Sequence, residues 1–265
     1  MAEITLYKGD CLIEMNKIND KSVDMILCDL PYQVTQNSWD IIIPFDEMWK
    51  QVNRVIKDNA CICFFCDGMF QAKLMLSNEK MWRYNLVWNK VLCSGFLNAN
   101  KMPLRTHEEI SVFYKSLPTY NPQKTRGKPL HGMGQKFKTT VRKNNNYGKI
   151  DTCKNPSIDR EGDTDKFPIS ILTFPRKASC NMIHPTEKSV ELLQYLIKTY
   201  TNENETVLDF TMGSGSTGVA CKFTNRNFIG IEKDDIYFEI AKQRIENPET
   251  FSKPKEDKVS KYDLF

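Results

Sequence analysis

Long apolar runs are absent from this sequence of 265 residues. The longest uninterrupted apolar stretch covers the seven residues 60–66, whereas a membrane-spanning helix needs about 20 such residues. The charged residues Glu3, Lys8 and Asp10 near the start leave no room for the apolar segment of a signal peptide. We therefore expect a cytoplasmic protein that makes no contact with a membrane.

Histidine is scarce, and cysteine follows neither the spacing of a metal site nor that of a disulfide framework. The three histidines, His107, His131 and His184, lie far apart. The nine cysteines are scattered, whereas disulfide frameworks are typical of short secreted chains. The triplet at positions 61, 63 and 66 has no second cluster at zinc-finger spacing, and its apolar neighbours predict a buried strand. We expect reduced cysteines and no bound metal.

Glycine and proline, at 12 residues each, are too few for a collagen-like or low-complexity chain, and 40% hydrophobic residues exclude full disorder. The length predicts one large core, or a core with an inserted module, because domains average roughly 150 residues. Acidic residues are missing from residues 115–150, which contain nine lysines and arginines, although the whole chain has a net charge of only +4. Such localised charge is typical of a surface that contacts phosphates, and the alternative is a solvated basic loop.

The pattern of apolar residues predicts alternating strands and helices. Strands are predicted at residues 4–7, 23–28, 60–66, 85–88, 110–114, 206–209 and 228–232, and helices at 45–57, 69–77, 186–200, from a glycine turn to about 224, and 234–246. This alternation is typical of an α/β fold with a mostly parallel sheet, which binds ligands at the carboxyl ends of its strands. Residues 116–181 break the pattern and are too long for an ordinary connection.

A glycine-rich turn follows the strand predicted at residues 206–209. Gly213, Gly215 and Gly218 have the spacing G-x-G-x-x-G, and Glu232 ends the next strand. Glycines let the backbone approach a bound cofactor, and an acidic residue at the second strand end accepts hydrogen bonds from ribose hydroxyls. The pattern predicts a nucleoside cofactor and leaves both a nicotinamide dinucleotide and S-adenosylmethionine open.

The tetrapeptide Asp29-Leu30-Pro31-Tyr32 directly follows the strand predicted at residues 23–28. The exocyclic amine of adenine or cytosine is a weak nucleophile because its lone pair is delocalised into the ring. Two acceptors on its two hydrogens would turn the lone pair towards a methyl donor. The Asp29 carboxylate and a main-chain carbonyl of the proline turn can act as these acceptors, and Tyr32 offers a face on which the base stacks. The tetrapeptide therefore favours methyl transfer from S-adenosylmethionine.

These motifs resemble those of the DNA amino-methyltransferases, which methylate N6 of adenine or N4 of cytosine. The catalytic motif of that family is Asp/Asn/Ser-Pro-Pro-Tyr/Phe, and its cofactor loop commonly reads Asp-Pro-Phe-x-Gly-Ser-Gly-Thr. Residues 9–10 (Gly-Asp), 88–90 (Trp-Asn-Lys) and 184–188 (His-Pro-Thr-Glu-Lys) are also similar to family motifs. The resemblance implies that the catalytic residues are Asp29, Leu30, Pro31 and Tyr32, and that S-adenosylmethionine is bound by Asp10, Lys188, Asp209, Phe210, Thr211, Gly213, Gly215 and Glu232.

The order of the motifs is that of the β class of this family, with the basic segment between the catalytic motif and the cofactor loop. The resemblance implies a circularly permuted, Rossmann-like methyltransferase fold. Residues 1–115 would be its catalytic half, 116–181 an inserted target-recognition region, 182–246 the cofactor-binding half and 247–265 a charged tail. Double-stranded DNA is the expected partner, bound by Lys124, Arg126, Lys128, Lys136, Lys138, Arg142 and Lys143.

Two further partners are suggested by resemblance. The family suggests a homodimer. The terminal residues 262–265 (Tyr-Asp-Leu-Phe) resemble short peptides that dock on replication sliding clamps, although we expect the end of a disordered tail there.

Several readings of the substrate and of the protein class stay open. Asp29, rather than serine, resembles the adenine-modifying members, so we expect N6 of an extruded adenine before N4 of cytosine. RNA or a protein glutamine amide is an alternative substrate. A nicotinamide-dependent oxidoreductase would explain only the glycine turn, and a non-enzymatic DNA-binding protein would leave the catalytic tetrapeptide without a role. Leu30, Phe210 and Thr211 depart from the family motifs, but none of these changes removes a catalytic group.

Overall fold

The computed structural model describes residues 2–32, 41–127, 164–176 and 187–249 of the chain. The chain divides into two compact units, one formed by Met1–Asn121 with Ser170–Phe265 and the other by Pro122–Ile169. The main sheet belongs to the first unit. In the second unit, the described residues include one short antiparallel pair of strands.

Strands and helices alternate along most of the first unit. The elements of the first unit are β1 (Ile4–Lys8), α1 (Cys11–Glu14), β2 (Val23–Asp29), α2 (Phe45–Val55), β3 (Ile56–Cys66), α3 (Gly68–Ser77), β4 (Trp82–Ser94), β5 (Arg105–Phe113), β8 (Ile171–Thr173), α4 (Val190–Tyr200), β9 (Thr206–Asp209), α5 (Ser216–Phe223), β10 (Asn227–Glu232) and α6 (Asp235–Glu246). Those of the second unit are β6 (Thr125–Arg126) and β7 (Asp165–Lys166). None of the described helices combines the length and the apolarity needed to cross a bilayer.

The main sheet has eight strands in the order β1-β10-β9-β2-β3-β5-β4-β8. The five strands from β1 to β3 are parallel to one another, β5 is antiparallel to both of its neighbours, and β8 is parallel to β4. The predicted, mostly parallel sheet is therefore confirmed. The first strand of the chain lies beside β10, which is among the last elements, and this pairing confirms the predicted circular permutation.

Two apolar clusters pack on the two faces of this sheet. Helices α4, α5 and α6 cover one face, and α1, α2 and α3 cover the other. Alternate residues of β3 enter the two clusters, so that Cys61, Cys63 and Phe65 face one side while Ile62 and Phe64 face the other. Burial on both faces explains why β3 has a continuous apolar run instead of an alternating one. The buried strand predicted around the cysteine triplet is confirmed.

Capping residues determine where the helices begin on the side of the sheet that carries the site. The Asp234 carboxylate accepts hydrogen bonds from the backbone nitrogens of Ile236 (2.9 Å) and Tyr237 (3.0 Å), which satisfies two of the free N–H groups at the start of α6. Asp10 caps α1 in the same way through Leu12 N, at 3.1 Å. Both helices therefore start directly beyond the carboxyl ends of β10 and β1.

The structure differs from the sequence prediction in several element bounds. Helix α4 begins at Val190 and not at residue 186, and β4 extends well beyond the predicted residues 85–88 in both directions. Helix α1 has only four residues, too few to show helical periodicity. Strand β8 lies within the predicted region 116–181, yet it pairs with residues 87–89 of β4 in the main sheet. The possible clamp-binding residues 262–265 lie outside the described residues.

Gly215 packs closely on the backbone of α6. It has φ +79°, and a Cβ at this position would lie 2.9 Å from the Cβ and 3.0 Å from the Cα of Ala241. We expect Gly215→Ala to lower the free energy of unfolding by about 2–5 kcal/mol, because the left-handed conformation and overpacking both oppose a side chain. Denaturant unfolding measures the loss.

Gly68→Ala is the matched control for this prediction. Gly68 also has a positive φ, +53°, but a Cβ there would meet no described atom within 4 Å. The control therefore carries only the conformational cost, about 1–2 kcal/mol. Equal losses in the two variants would contradict the close packing of Gly215 on α6.

Candidate active site

The predicted catalytic and cofactor residues converge on one open cavity at the carboxyl ends of β1, β10, β9 and β2. The cavity has a volume of about 1330 Å³. That exceeds the roughly 300–1000 Å³ of a pocket for one small ligand, so two groups can be accommodated. The predicted residues that line it are Asp10, Asp29, Leu30, Pro31, Tyr32, Lys188, Asp209, Phe210, Thr211, Gly213 and Glu232. Among the predicted catalytic and cofactor residues, Gly215 alone does not line the cavity. It packs on α6 instead.

Asp29 is the last residue of β2, and protein donors contact both of its carboxylate oxygens. The Tyr32 hydroxyl donates to Oδ1 at 2.6 Å, and the Lys188 ammonium lies 2.8 Å from Oδ2. Burial raises the pKa of Asp29, Lys188 opposes this rise, and the negative charge of Glu108 adds to it. Because an ionised carboxylate has about four acceptor sites, each oxygen can still accept a hydrogen from a substrate.

Lys188 links Asp29, at the end of β2, to two charged residues on β4 and β5. Its ammonium lies 3.1 Å from Glu108 Oε2, and Lys90 donates to Glu108 Oε1 at 3.0 Å. The same ammonium lies 5.0 Å from the centre of the Phe65 ring. Charges therefore alternate from Asp29 through Lys188 and Glu108 to Lys90. Burial alone would raise the pKa of Glu108, but the two lysines outweigh it and lower that pKa to about 2. The two carboxylates in turn raise the pKa of Lys188.

A carboxylate also organises the glycine turn. Asp209 Oδ1 accepts a hydrogen bond from Thr211 N at 3.1 Å, and its Oδ2 accepts one from the Thr217 hydroxyl at 2.7 Å. The Thr211 hydroxyl then donates to the main-chain oxygen of Asp29 at 3.0 Å. One threonine thus joins the predicted cofactor loop to the predicted catalytic motif, so the positions of the two are coupled.

Glu232 closes the other side of the turn. Its carboxylate accepts hydrogen bonds from Gly213 N and Asp234 N, both at 2.8 Å. Burial raises its pKa, and these backbone hydrogen bonds oppose the rise. Each oxygen keeps acceptor capacity towards the cavity, which suits two adjacent hydroxyls of a ribose. Gly213 has φ +51°, a conformation in which glycine avoids the strain of a side chain. The donor set and the turn therefore fit a nucleoside cofactor.

A buried ion pair braces the turn from behind. The Arg244 guanidinium of α6 lies 2.7 Å from Glu187 Oε1, and it donates to the main-chain oxygen and the hydroxyl of Ser214, also at 2.7 Å. Both charged side chains are almost completely buried, at 2% and 0% exposure. Breaking such a pair by removing one partner leaves an uncompensated charge, which is strongly destabilising. Arg244 therefore links Glu187, the neighbour of Lys188 in sequence, to Ser214 of the glycine turn.

The side chain of Phe210 is buried in the core, and only two of the predicted DNA contacts lie among the described residues. The Phe210 side chain is 1% exposed and packs edge-on against Phe64, with ring centroids 6.0 Å apart, so mainly its backbone is available to a ligand. Of the predicted DNA contacts, Lys124 and Arg126 lie in the described part of the second unit. Those outside the described residues are Lys128, Lys136, Lys138, Arg142 and Lys143.

Sequence reasoning missed four residues that the structure brings to the site: Lys90 as an ion-pair partner, Glu108, Thr217 and Arg244. Glu108 is on β5, where the local sequence Arg-Thr-His-Glu-Glu gives no indication of which glutamate faces the cavity. Only the antiparallel register with β4, which aligns Glu108 with Trp88, brings it close to Lys90. Arg244 is typical in sequence of an exposed helix residue, and nothing local predicts its burial.

The fold and the site together define an α/β protein in which a glycine turn that fits a nucleoside cofactor lies next to an acidic turn at the end of β2. A family model described as "DNA methylase" matches residues 23–243, which is most of the chain. The chain therefore belongs to the DNA methylase family.

Two curated relatives are similar over most of this chain. It is 26% identical over 277 aligned residues to the DNA adenine methyltransferase YhdJ of Escherichia coli (strain K12), covering 97% of this chain and 87% of the relative. It is 23% identical over 252 aligned residues to the type II methyltransferase M.HinfI of Haemophilus influenzae, covering 91% and 68%.

Two solved structures share the fold. The M1.HpyAVI–SAM complex superposes with a TM-score of 0.62 at 23% identity, covering 91% of this chain and 99% of that one. The cytosine-N4-specific PvuII DNA methyltransferase superposes with a TM-score of 0.65 at 14% identity, covering 92% and 86%. These likenesses confirm the predicted methyltransferase fold.

The titration of Asp209 gives a test of its burial. Burial raises the pKa of Asp209 from 3.8 to about 7, and its hydrogen bonds offset this only in part. Because the folded state then holds a proton that the unfolded state has lost, stability falls as the pH rises from about 4 to about 7. Asp209→Asn cannot titrate. We expect the stability of the wild type relative to this variant to fall by a few kcal/mol across that window.

Unfolding curves of both proteins between pH 3 and 9 measure this difference, and all other titrating groups cancel. The difference in unfolding free energy between the two proteins should not depend on pH below about 4 or above about 7. A difference that is independent of pH would mean that the pKa of Asp209 is the same in the folded and unfolded states, which would contradict the effect of burial.

Proposed function

We propose that this chain transfers a methyl group from S-adenosylmethionine to N6 of an adenine extruded from duplex DNA. The observation that carries the proposal is the junction at the end of β2, where the Asp29 carboxylate lines the cavity and the Asp29 carbonyl binds Thr211 of the cofactor loop. A base held by Asp29 and a cofactor held by the loop would share one cavity. Membership of the DNA methylase family supports the same reaction.

The residues that would hold the cofactor lie on both sides of the glycine turn. Glu232 and Asp10 offer acceptors to the nucleoside end, and the backbone from Thr211 to Gly213 lines the cavity between them. When bound, S-adenosylmethionine supplies an electrophilic methyl group on a sulfonium with a good leaving group. The chain therefore needs to orient the two reactants and to keep water out, and it needs no strong base.

The residues that would hold the base surround Asp29. Its carboxylate would accept one amino hydrogen, and a main-chain carbonyl of the following turn would accept the other. Tyr32 lies 4.8 Å from Phe70, centre to centre, and the two rings form an aromatic wall next to the carboxylate. A raised pKa makes Asp29 a better acceptor for a proton as the amino nitrogen becomes bonded to carbon.

The family resemblance implies that Lys188 binds the cofactor. In this proposal it is also the counterion of Asp29. It is largely buried, with 10% of the side chain exposed, and it balances a carboxylate that burial would otherwise neutralise. Glu108 prevents Lys188 from being held by Asp29 alone. The ammonium is thereby shared, and the Asp29 oxygens stay available to the base.

The choice of adenine rests on two observations. The catalytic tetrapeptide begins with aspartate, and YhdJ, a relative over 97% of this chain, is named a DNA adenine methyltransferase. The second candidate is N4 of cytosine, which is favoured by the structural similarity to the cytosine-N4-specific PvuII enzyme. Both reactions use the same two acceptors, because both amines are attached to an aromatic ring.

The test of the proposal measures the modified base and its dependence on Asp29. DNA without amino methylation is incubated with the protein and labelled S-adenosylmethionine, digested to nucleosides and analysed by mass spectrometry. We expect N6-methyladenine with the wild type and a loss of turnover of about a hundredfold to a thousandfold in Asp29→Ala, because one of two orienting acceptors is removed. Cofactor affinity, measured by calorimetry, should change little in this variant.

Glu232→Gln is the companion variant for this experiment. It should weaken cofactor binding about tenfold and retain turnover at saturating cofactor, because it alters the nucleoside side of the cavity and leaves Asp29 intact. N4-methylcytosine as the product would replace the adenine assignment by the cytosine one. Equal turnover by the wild type and Asp29→Ala would refute the catalytic role.

The basic segment is proposed to bind the DNA backbone. Within the second unit, Arg126 is exposed, and the Lys124 ammonium lies 4.0 Å from Asp165. If about five cations of the segment each neutralise one phosphate, the slope of log affinity against log salt is about −4.5. The double variant Lys124→Gln, Arg126→Gln should flatten that slope by about 1.8. Fluorescence anisotropy of labelled duplex at several salt concentrations measures both slopes, and an unchanged slope would remove the two residues from the interface.

A further inference from the structure

The hairpin that joins β4 to β5 extends from the same edge of the sheet as Asp29. Strand β4 runs in the same direction as β2 and β3, because β5 is antiparallel to both β3 and β4. Its last residue, Ser94, therefore lies at the carboxyl edge. Ser94 pairs with Arg105 at the base of the hairpin, and both residues line the cavity. The base of the hairpin is thus part of the cavity wall, and the residues between them project beyond it.

Large apolar side chains are exposed on this projection. Leu97 is 99% exposed, Phe96 69% and Met102 58%, and we call these three residues the apolar tip. A single exposed leucine needs no explanation, but an exposed cluster of apolar side chains next to a binding cavity marks an interaction surface.

Backbone hydrogen bonds give the apolar tip a defined conformation, although its side chains are largely exposed. Residues 96–98 form a 3-10 turn, in which Asn98 N donates to Gly95 O at 2.9 Å and Ala99 N donates to Phe96 O at 3.1 Å. Met102 N donates to Asn98 O at 3.0 Å. Gly95 has φ +89°, which turns the chain sharply out of β4. The exposed side chains are therefore presented by an ordered backbone.

The charges around the apolar tip favour nucleic acid over a protein surface. Residues 91–107 contain Lys101 and Arg105 and no acidic residue. Arg105 forms an ion pair with Asp67, whereas Lys101 is exposed and has no ion-pair partner among the residues the structure describes. An apolar wedge beside a free cation suits the base stack of a duplex, with its phosphates on either side.

We infer that the apolar tip enters the base stack of duplex DNA and that Leu97 fills the space which the extruded base leaves behind. The inference rests on the proposed function, since only an extruded base creates that space. Extrusion removes the stacking contacts of both neighbouring base pairs, and an inserted apolar side chain restores part of them. The position of the hairpin at the cavity mouth places the wedge next to the pocket that receives the base.

The test compares paired and unpaired substrates. The methylated site is first located by sequencing modified bases in DNA from cells that express the chain. Methylation rates of the wild type and Leu97→Ser are then measured on a duplex oligonucleotide with that site and on its single strand. Because a single strand needs no extrusion, we expect the ratio of duplex to single-strand rate to fall about tenfold in Leu97→Ser. With 2-aminopurine at the target position of the duplex, the fluorescence increase on binding should also fall.

Two variants complete the design. Leu97→Met keeps a large apolar side chain and should retain the wild-type ratio. Leu117→Ser removes another highly exposed leucine, 80% exposed, which follows β5 beyond the opposite edge of the sheet, and it should also retain the ratio. An unchanged ratio in Leu97→Ser would overturn the inference. Equal losses on both substrates, with a change in molecular mass by light scattering, would also overturn it and assign the apolar tip to a second copy of this chain. A wild type without activity on any DNA would instead refute the proposed function.

Discussion

The Asp29 carboxylate lies between the Tyr32 phenol and the Lys188 ammonium, and all three groups are largely withdrawn from water. Burying a charge is costly unless a partner balances it, so the ammonium must be present wherever the carboxylate is. The ammonium in turn requires Glu108, and Glu108 requires Lys90. This chain of requirements extends over β2, β5 and β4 and the segment before α4. The charged site therefore exists only when β2, β5, β4 and the segment before α4 have come together.

The site also depends on both ends of the sequence. The predicted cofactor turn lies between β9 and α5, whereas the predicted catalytic tetrapeptide begins at the last residue of β2, which pairs with β9 in the centre of the sheet. The bond from the Thr211 hydroxyl to the Asp29 carbonyl crosses this central pairing. In a circularly permuted sheet, residues distant in sequence are adjacent at the carboxyl edge, which is where α/β sheets bind their ligands.

Motifs whose conformation is determined by a few neighbouring residues could be predicted from the sequence. The glycine turn, the proline-containing tetrapeptide and the apolar run of β3 each show their conformation within a few residues, and their order indicated the permuted sheet. Glu108 and Arg244 could not be predicted, because their roles arise from strand register and from helix packing over long sequence separations. Strand β8 was missed for a similar reason. It has three residues, and only its pairing with β4 gives it a place in the sheet.

The Arg244 brace has a consequence for the synthesis of the protein. Arg244 is near the end of α6, the last described helix, and it binds both Ser214 of the cofactor turn and Glu187 beside Lys188. Domains generally fold as units, so Ser214 and Glu187 stay without this partner until the arginine has left the ribosome. A polypeptide that has not been synthesised through α6 therefore lacks the completed turn that lines the cavity.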